Sequence, residues 1–455
     1  MTNEKMIRYH AKWVIPVCSA PIRDGVVAVD GSEISYVGPA ADAPPGTDAP
    51  LGDVVLMPGL VNAHCHLELT AMRGFLEDLD FQRWILRLTS ARRAILDDDA
   101  LLASARYGLE EGIRAGITSY ADTCSSGVVM RAMRDAGVRG IMYQEVFGPD
   151  PSQCAQSIAG LREKVSSLRY LETPLVRVGV SPHAPYTVSD DLFRATAALA
   201  AEQSLPIAVH IAESEVEQEY VANASGPFAD GLRRRGIPVS SRASSPIQLL
   251  ASLGVLDRGP LLIHCVRVDR RDIASIAHSR SSVAHCPASN AKLGHGIAPV
   301  DELLAAGIAV GVGSDSMASN NRMDVLDEAR LALLAQRARI GSFEVPEAVD
   351  VLELATAGGA RAIGLESLVG TLEPGKQADL AAFSLEGIGP IHDPVAAAIF
   401  TINGARARFA AVAGKVLLRD GLLVNAVPGL HDRMQSLADA LANWLANGGE
   451  IQGPA

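Results

Sequence analysis

The stretch Met57-Pro58-Gly59-Leu60-Val61-Asn62-Ala63-His64-Cys65-His66-Leu67-Glu68 decides how this chain is read. The apolar run from Leu56 to Ala63 predicts a buried strand, and it ends in His64-Cys65-His66. Side chains of a strand alternate between faces, so His64 and His66 are expected to point one way and Cys65 the other. Two imidazoles on one face at a strand end can seize a divalent metal. Taken alone, such a pair is more often an ordinary surface or core feature. The rest of the chain decides between the two.

Working outward, strands and helices alternate after His66. Further strands are expected at Gly116–Asp122, Gly140–Phe147, Leu175–Ser181, Pro206–His210, Leu261–Cys265, Ser282–Pro287 and Ala309–Asp315. Helical spacing marks most of the intervals, including Phe81–Leu96, where Trp84, Ile85, Leu88 and Ile95 share a face. Asp97-Asp98-Asp99 then opens a further helix, with acidic side chains at the positive end of its dipole. Eight β-then-α units predict an α/β fold, a (β/α)8 TIM-type barrel over residues 57–366. An open doubly wound sheet would want a GxGxxG loop, which the sequence lacks. Residues 1–56 and 367–425 have a short-strand, turn-rich texture and are expected to pack together as one small β-sandwich domain. Residues 430–449 predict an amphipathic C-terminal helix carrying Trp444. Single helices are expected at Arg322–Arg339 and Val345–Ile363.

Composition narrows the function classes. The chain has 455 residues, 48% hydrophobic and 20% charged, an ordinary globular balance. The net charge of −12 argues against nucleic acid or an anionic membrane as partner. There is no long apolar leader and no uninterrupted apolar run of membrane-spanning length, so a cytoplasmic protein is expected. The six cysteines (Cys18, Cys65, Cys124, Cys154, Cys265, Cys286) are scattered without a CxxC, which suits free thiols in a reducing compartment. Aromatics make up 4%, and exposed barrel helices with few aromatics would suit a homodimer.

Polar residues gather at the predicted strand ends: His64 and His66 on the first, His183 on the fourth, His210 on the fifth, His264 on the sixth and Asp315 on the eighth. In a barrel these ends form one mouth, where barrel active sites sit. Neutral imidazoles and one carboxylate suit zinc or iron with a place left for water. His285 reads as structural. His10, His278, His295, His392 and His431 are given no role.

The chain resembles the amidohydrolase superfamily, and within it the metal-dependent deaminase and chlorohydrolase group. The resemblance rests on Met57 to His64, His210-Ile211-Ala212-Glu213, Cys286-Pro287-Ala288-Ser289-Asn290-Ala291-Lys292-Leu293-Gly294, Gly313 to Asn321 and Gly375-Lys376-Gln377-Ala378-Asp379-Leu380. It implies that His64, His66, His210 and Asp315 hold one divalent metal, zinc before iron. It implies that Glu213 is the acid/base carboxylate, that His264 and Asp315 orient the attacking water, and that His183 touches substrate. Two-metal members commonly carry a lysine at the end of the fourth strand. Here Ser181-Pro182-His183 stands there, so a single metal is expected.

The implied reaction is attack of metal-activated hydroxide on a ring carbon bearing an amino group, with Glu213 passing protons and ammonia leaving. Enclosure is expected to raise the Glu213 pKa toward neutrality. The segment His66 to Gly74 is most similar to aminodeoxyfutalosine deaminases, and Cys286 to Val300 is equally similar to S-adenosylhomocysteine and methylthioadenosine deaminases. Expected substrate contacts are His183, Glu213, Trp84, Glu68 and Arg87, with Arg73, Arg92 and Arg93 as further candidates to pair a substrate carboxylate. His66-Leu67-Glu68 also matches the H-x-E of cytidine-type deaminases, but the PCxxC that must accompany it is absent. Guanine or cytosine deamination, triazine dechlorination or deamination, cyclic-amide hydrolysis and a non-catalytic scaffold stay open at this point.

Overall fold

The computed structural model describes residues 6–402 and 406–449; of the two terminal spans expected to form the β domain, residues 1–5 and 403–405 lie outside it. Its architecture is α/β. Parallel strands run at Leu60–His66, Ile117–Cys124, Arg139–Val146, Val176–Pro182, Ala208–Ile211, Leu261–His264, Ser282–His285 and Val310–Val312. The first four, with the short strand Asp315–Ser316, make a five-stranded sheet, and the last four make a four-stranded one. A parallel bridge between Val180 and Ile207 links the sheets on one side. On the other, Asp315 and Ser316 pair with Cys65 and His66. Small side chains, among them Val61, Ala63, Ala121, Ala208 and Ala284, fill one apolar cluster with Ile141, Tyr143 and Ile263. This is how an aromatic-poor chain packs such strands closely.

Both chain ends enter one nine-stranded sheet. Its junction is Val54–Pro58, which runs parallel to Ile7–Val14 and antiparallel to Leu380–Ser384. The apolar run read as one strand from Leu56 to Ala63 is therefore two strands in two sheets, broken at Gly59. A Cβ on Gly59 would lie 2.1 Å from Thr118 Oγ1, so only glycine lets the chain cross there. A buried ion pair fastens the two sheets: Arg139 Nε and Nη2 donate to Asp379 at 2.8 and 2.9 Å. Asp379 Oδ1 also accepts from the Ala413 amide at 2.7 Å. The Gly-Lys-Gln-Ala-Asp-Leu motif thus has a structural function.

Helix starts follow the expected capping chemistry. Asp97 accepts from the Ala100 amide at the start of Asp98–Arg114, and Asp80 caps Phe81–Ile95. The single helix expected over Val345–Ile363 is two, Ala348–Leu354 and Ala357–Ala362, parted around Thr356. Helices Glu215–Asn223, Gly226–Arg234 and Pro246–Ser252 follow the fifth parallel strand, where the sequence offered no assignment. The C-terminal helix Leu430–Ala446 lays Met434, Leu437 and Leu441 against Leu69, Met72, Leu76 and Leu101. It thereby backs the segment that follows His66. Among the described residues, no helix is long and apolar enough to cross a membrane.

Candidate active site

The ends of the parallel strands open into a cavity of about 1280 Å³. His66, Glu145, His183, His210, Glu213, His264 and Asp315 line its inner end. His64 lies directly behind them, fully buried. The rings of His64 and His66 are 4.8 Å apart, and those of His64 and His210 4.9 Å. His66 Nε2 and His210 Nε2 approach to 3.2 Å. Asp315 Oδ1 lies 3.3 Å from His64 Nε2 and 3.6 Å from His66 Nε2. Three overlapping groups of donors (His64, His210 and His264; His64, His66 and Asp315; His66, Glu145 and His210) each converge within 4.8 Å.

The backbone is shaped to aim these groups. His264, Cys265, Asp315 and Ala212 all have positive φ, at 78°, 47°, 55° and 51°. For residues with a side chain this conformation is costly and is retained where surrounding structure demands it. The demand around Asp315 is visible. Ser289 Oγ and Ser319 Oγ donate to Oδ2 at 2.5 and 3.2 Å, and the Ser316 amide donates to Oδ1 at 2.7 Å. Gly313 passes so close to the first strand that a Cβ would lie 2.7 Å from the His64 amide nitrogen. The Ser314 amide donates to Asn62 Oδ1 at 3.0 Å, binding the eighth strand to the first.

Hydrogen bonds also set which ring nitrogens face inward. The His183 carbonyl lies 3.2 Å from His210 Nδ1 and can only accept, so Nδ1 carries the proton and the bare Nε2 faces the cluster. Asn290 Oδ1, 3.0 Å from His264 Nδ1, turns His264 Nε2 to the cavity in the same manner. Burial pushes His64 down to about 4, and it also carries His210 well below the ordinary imidazole range, so both rings are neutral. Burial opposes the charge on Asp315, but His64 and the other imidazoles outweigh it and hold the carboxyl well below its usual range. Neutral imidazoles around an ionised carboxylate are the protonation states a divalent cation requires. Both nitrogens of His64 are buried with no hydrogen-bond partner. Buried orphan nitrogens facing a carboxylate are what a metal ligand looks like without its ion, so the donor set fits a divalent metal.

Glu213 sits beside this cluster. Its Oε1 lies 3.6 Å from His264 Nε2 and 3.3 Å from His295 Nε2. Enclosure was expected to raise its pKa. Burial does push that way, but His264 and His295 overcome it and hold Glu213 below its ordinary value. Glu217, buried beneath, fixes the turn by accepting from the Ala212 and Glu213 amides at 3.0 and 2.8 Å.

The structure brings together His64, His66, His183, His210, Glu213, His264 and Asp315. His183 donates to or accepts from Thr187 Oγ1 through Nδ1 at 2.8 Å, and its ring lies 4.8 Å from that of His210. Trp84 lines the cavity wall, with Nε1 3.4 Å from the Ala318 carbonyl. Glu68 also lines it, but its carboxylate is already engaged: Arg92 Nη2 at 3.1 Å, Ser125 Oγ at 3.0 Å, Cys124 Sγ at 3.0 Å and Ser126 Oγ closer still. Burial opposes that charge, yet Arg92 and the hydroxyls keep its pKa low. Arg87 is half-buried and is not among the cavity-lining residues; Arg92 and Arg93 are. Arg73 pairs with Glu111 instead.

Sequence reasoning missed several neighbours. His295, assigned no role, reaches Glu213 from the loop after Pro287–Lys292 and packs its ring 4.5 Å from Phe81. Tyr186 and Phe228 stack at 4.1 Å with 7° between planes. Glu145 is the last residue but one of the third strand. Burial pushes it up to about 7, with His66 pulling the other way.

Comparison with known proteins agrees with this geometry. Residues 55–417 match the family model described as "Amidohydrolase family". A 5-methylthioadenosine/S-adenosylhomocysteine deaminase of Moorella thermoacetica is 33% identical over 415 residues, covering 90% of this chain and 93% of that protein. A 5'-deoxyadenosine deaminase of Methanothermobacter thermautotrophicus is 32% identical, covering 88% and 91%. Among solved structures, an adenosine deaminase from Xanthomonas campestris with bound zinc superposes with a TM-score of 0.86 at 27% identity, covering 96% of this chain and 98% of that one. Atrazine chlorohydrolase from Arthrobacter aurescens, complexed with zinc, gives 0.80 at 26% identity, covering 96% and 99%.

Proposed function

The chain belongs to the amidohydrolase family, and on that footing we propose that it is a hydrolytic deaminase that releases ammonia from an aminated purine nucleoside. His64, His66, His210 and Asp315 are the proposed ligands of one divalent metal, zinc before iron. The two parallel sheets are taken as one (β/α)8 barrel over residues 57–366. The two chain ends (1–56 and 367–425) are taken as a small β domain, and 430–449 as a separate C-terminal helix.

The observation that carries the reading is Glu213, a buried carboxylate between His264 and His295, opening on the same cavity as His66, His210 and Asp315. A divalent metal at this donor set supplies Lewis acidity that brings the pKa of water from about 15.7 to near 7. Glu213, ionised at rest, accepts a proton from the attacking water and delivers it to the ring nitrogen beside the reacting carbon. It then takes the proton of the hydroxyl on the tetrahedral carbon and delivers it to the departing amine, so that the C–N bond breaks, ammonia leaves and the carbonyl forms. His264 Nε2 orients the water, held in register by Asn290. Asp315, fixed by Ser289 and Ser319, keeps its charge as the tetrahedral carbon forms. Phe81 and the stacked pair Tyr186–Phe228 offer aromatic faces to a purine. The cavity is larger than the roughly 300–1,000 Å³ of ordinary small-molecule sites, which supports a nucleoside carrying a 5'-extension. The names of the relatives from Moorella and Methanothermobacter support the same substrate class.

The experiment is an ammonia-release assay of the zinc-loaded protein on adenosine, 5'-methylthioadenosine, S-adenosylhomocysteine, aminodeoxyfutalosine, guanine and cytosine, with Glu213→Gln as the blank. A chlorotriazine is scored for chloride. Turnover of a nucleoside, lost in the variant, is expected. Chloride release without nucleoside turnover would overturn the reading.

A further inference from the structure

We infer that Glu145, at the end of the third parallel strand, receives a sugar hydroxyl of the substrate and is the chain's contact for the ribose. The inference rests on the nucleoside reading above. Five carboxylates line the cavity: Glu68, Asp98, Glu145, Glu213 and Asp315. Glu68 is saturated by Arg92, Ser125, Ser126 and Cys124. Asp98 is exposed, in the first turn of its helix. Asp315 is held by three donors, and Glu213 faces two imidazoles.

Glu145 differs from all of these. The residue is only 8% exposed, and its Oε1 is buried with no hydrogen-bond partner. A buried carboxyl oxygen without a donor is costly to maintain, and native structures seldom keep one that nothing ever satisfies. The residue lines the wall of the cavity, and one of its carboxylate oxygens lies within 4.8 Å of ring nitrogens of His66 and His210, on a strand paired on both sides. It is therefore rigidly placed beside the reacting centre, where a docked substrate brings its own donors. A carboxyl oxygen can only be satisfied by an O–H or N–H. The reacting amine is claimed by the Glu213 side of the cluster. The hydroxyls of the sugar are the donors that remain on a purine nucleoside. Lys164, which also lines this wall, is committed to the Ser125 carbonyl at 2.9 Å and does not fill the place.

The competing role is orientation of His66 and His210, an outer partner to metal ligands. Two readouts separate the roles: discrimination between hydroxylated and deoxy substrates, and metal content. Steady-state kinetics of the zinc enzyme are measured on adenosine, 2'-deoxyadenosine and 3'-deoxyadenosine, and on the 5'-methylthio forms of all three. Wild type, Glu145→Gln and Glu145→Ala are compared, with metal per chain determined for each. The expectation is that wild type loses about ten- to hundredfold in kcat/KM when one hydroxyl is removed, the range for leaving a buried acceptor without its hydrogen bond. Glu145→Ala is expected to lose the same factor on the hydroxylated nucleoside and nothing further on the matching deoxynucleoside, while keeping its metal. Glu145→Gln, which retains an acceptor oxygen, is expected to fall between. A variant that loses activity in equal proportion on both substrates, or that loses metal, overturns the inference and leaves the deaminase reading intact. A wild-type enzyme that turns over no nucleoside overturns both.

Discussion

Ser289→Ala removes the shortest hydrogen bond to Asp315, and with it the 2.9 Å contact of Ser289 Oγ with Ser319 Oγ, while the other two donors to Asp315 stay in place. Ser289 Oγ donates to Asp315 Oδ2 at 2.5 Å from a fully buried position, so no solvent replaces it. Ser319 Oγ at 3.2 Å and the Ser316 amide at 2.7 Å remain. A hydrogen bond to a charged group contributes about 1.5–3 kcal/mol. That loss falls on the ionised carboxylate, and so on any cation it holds. At about 1.4 kcal/mol per decade it amounts to roughly ten- to hundredfold in metal affinity, the range seen for outer partners of metal ligands. The sign with pH follows. The Asp315 carboxyl is held well below its usual range, with burial opposing and His64 the largest lowering influence. Removing a donor raises that pKa, so the variant should release metal at a higher pH than wild type as acid is added. Zinc titration against a fluorescent chelator at pH 7 and pH 5.5 measures both effects. Thermal melts of the metal-free proteins check that the fold is intact. An affinity within twofold of wild type at both pH values would refute the assignment of Asp315 as a ligand oriented by Ser289.

Two further outcomes are expected. Asp379→Asn leaves Arg139 buried and uncompensated, which costs about 3–5 kcal/mol; at this chain length that lowers the melting temperature by about 3–5 °C, whereas Arg139→Met with Asp379→Leu should recover most of it by differential scanning calorimetry. Burial pushes Glu328 up to about 8, above its unfolded value of 4.5, so its neutral form contributes stability that is full below pH 4.5 and is lost as pH rises toward 8. Urea midpoints should therefore fall less from pH 5 to pH 8 in Glu328→Gln than in wild type, and equal falls would contradict this.

The parts legible in the sequence share a physical cause. Metal-type donors at strand ends carry both a local period and a position, so His64, His66, His210, His264 and Asp315 stand out in the sequence itself. Glu213 was legible through the His210-Ile211-Ala212-Glu213 motif, one of the stretches that carry the family resemblance. What was hidden depends on contacts between distant segments. The break at Gly59 is marked locally only by the Pro58-Gly59 pair inside a run buried on both sides, and it is the proximity of Thr118 that forces it. His295 lies in an irregular loop with no periodicity and gains its place through Glu213 and Phe81. Tyr186 and Phe228 are far apart in sequence and meet only because Gly226–Arg234 folds over the cavity. Arg87 shares a helix with Arg92 and Arg93, and helical rotation alone decides which of them reach the cavity. The expected rise in the Glu213 pKa failed because the sequence shows enclosure more readily than the two imidazoles that counter it.

The measurement that bears most directly on hydrolytic deamination is isotope tracing in ¹⁸O-labelled water, run on the nucleoside that the zinc-loaded enzyme turns over fastest. One ammonia for each product molecule, with one labelled oxygen on the ring carbon that bore the amine, is the predicted result. Product lacking the label, or forming without ammonia, would contradict the account.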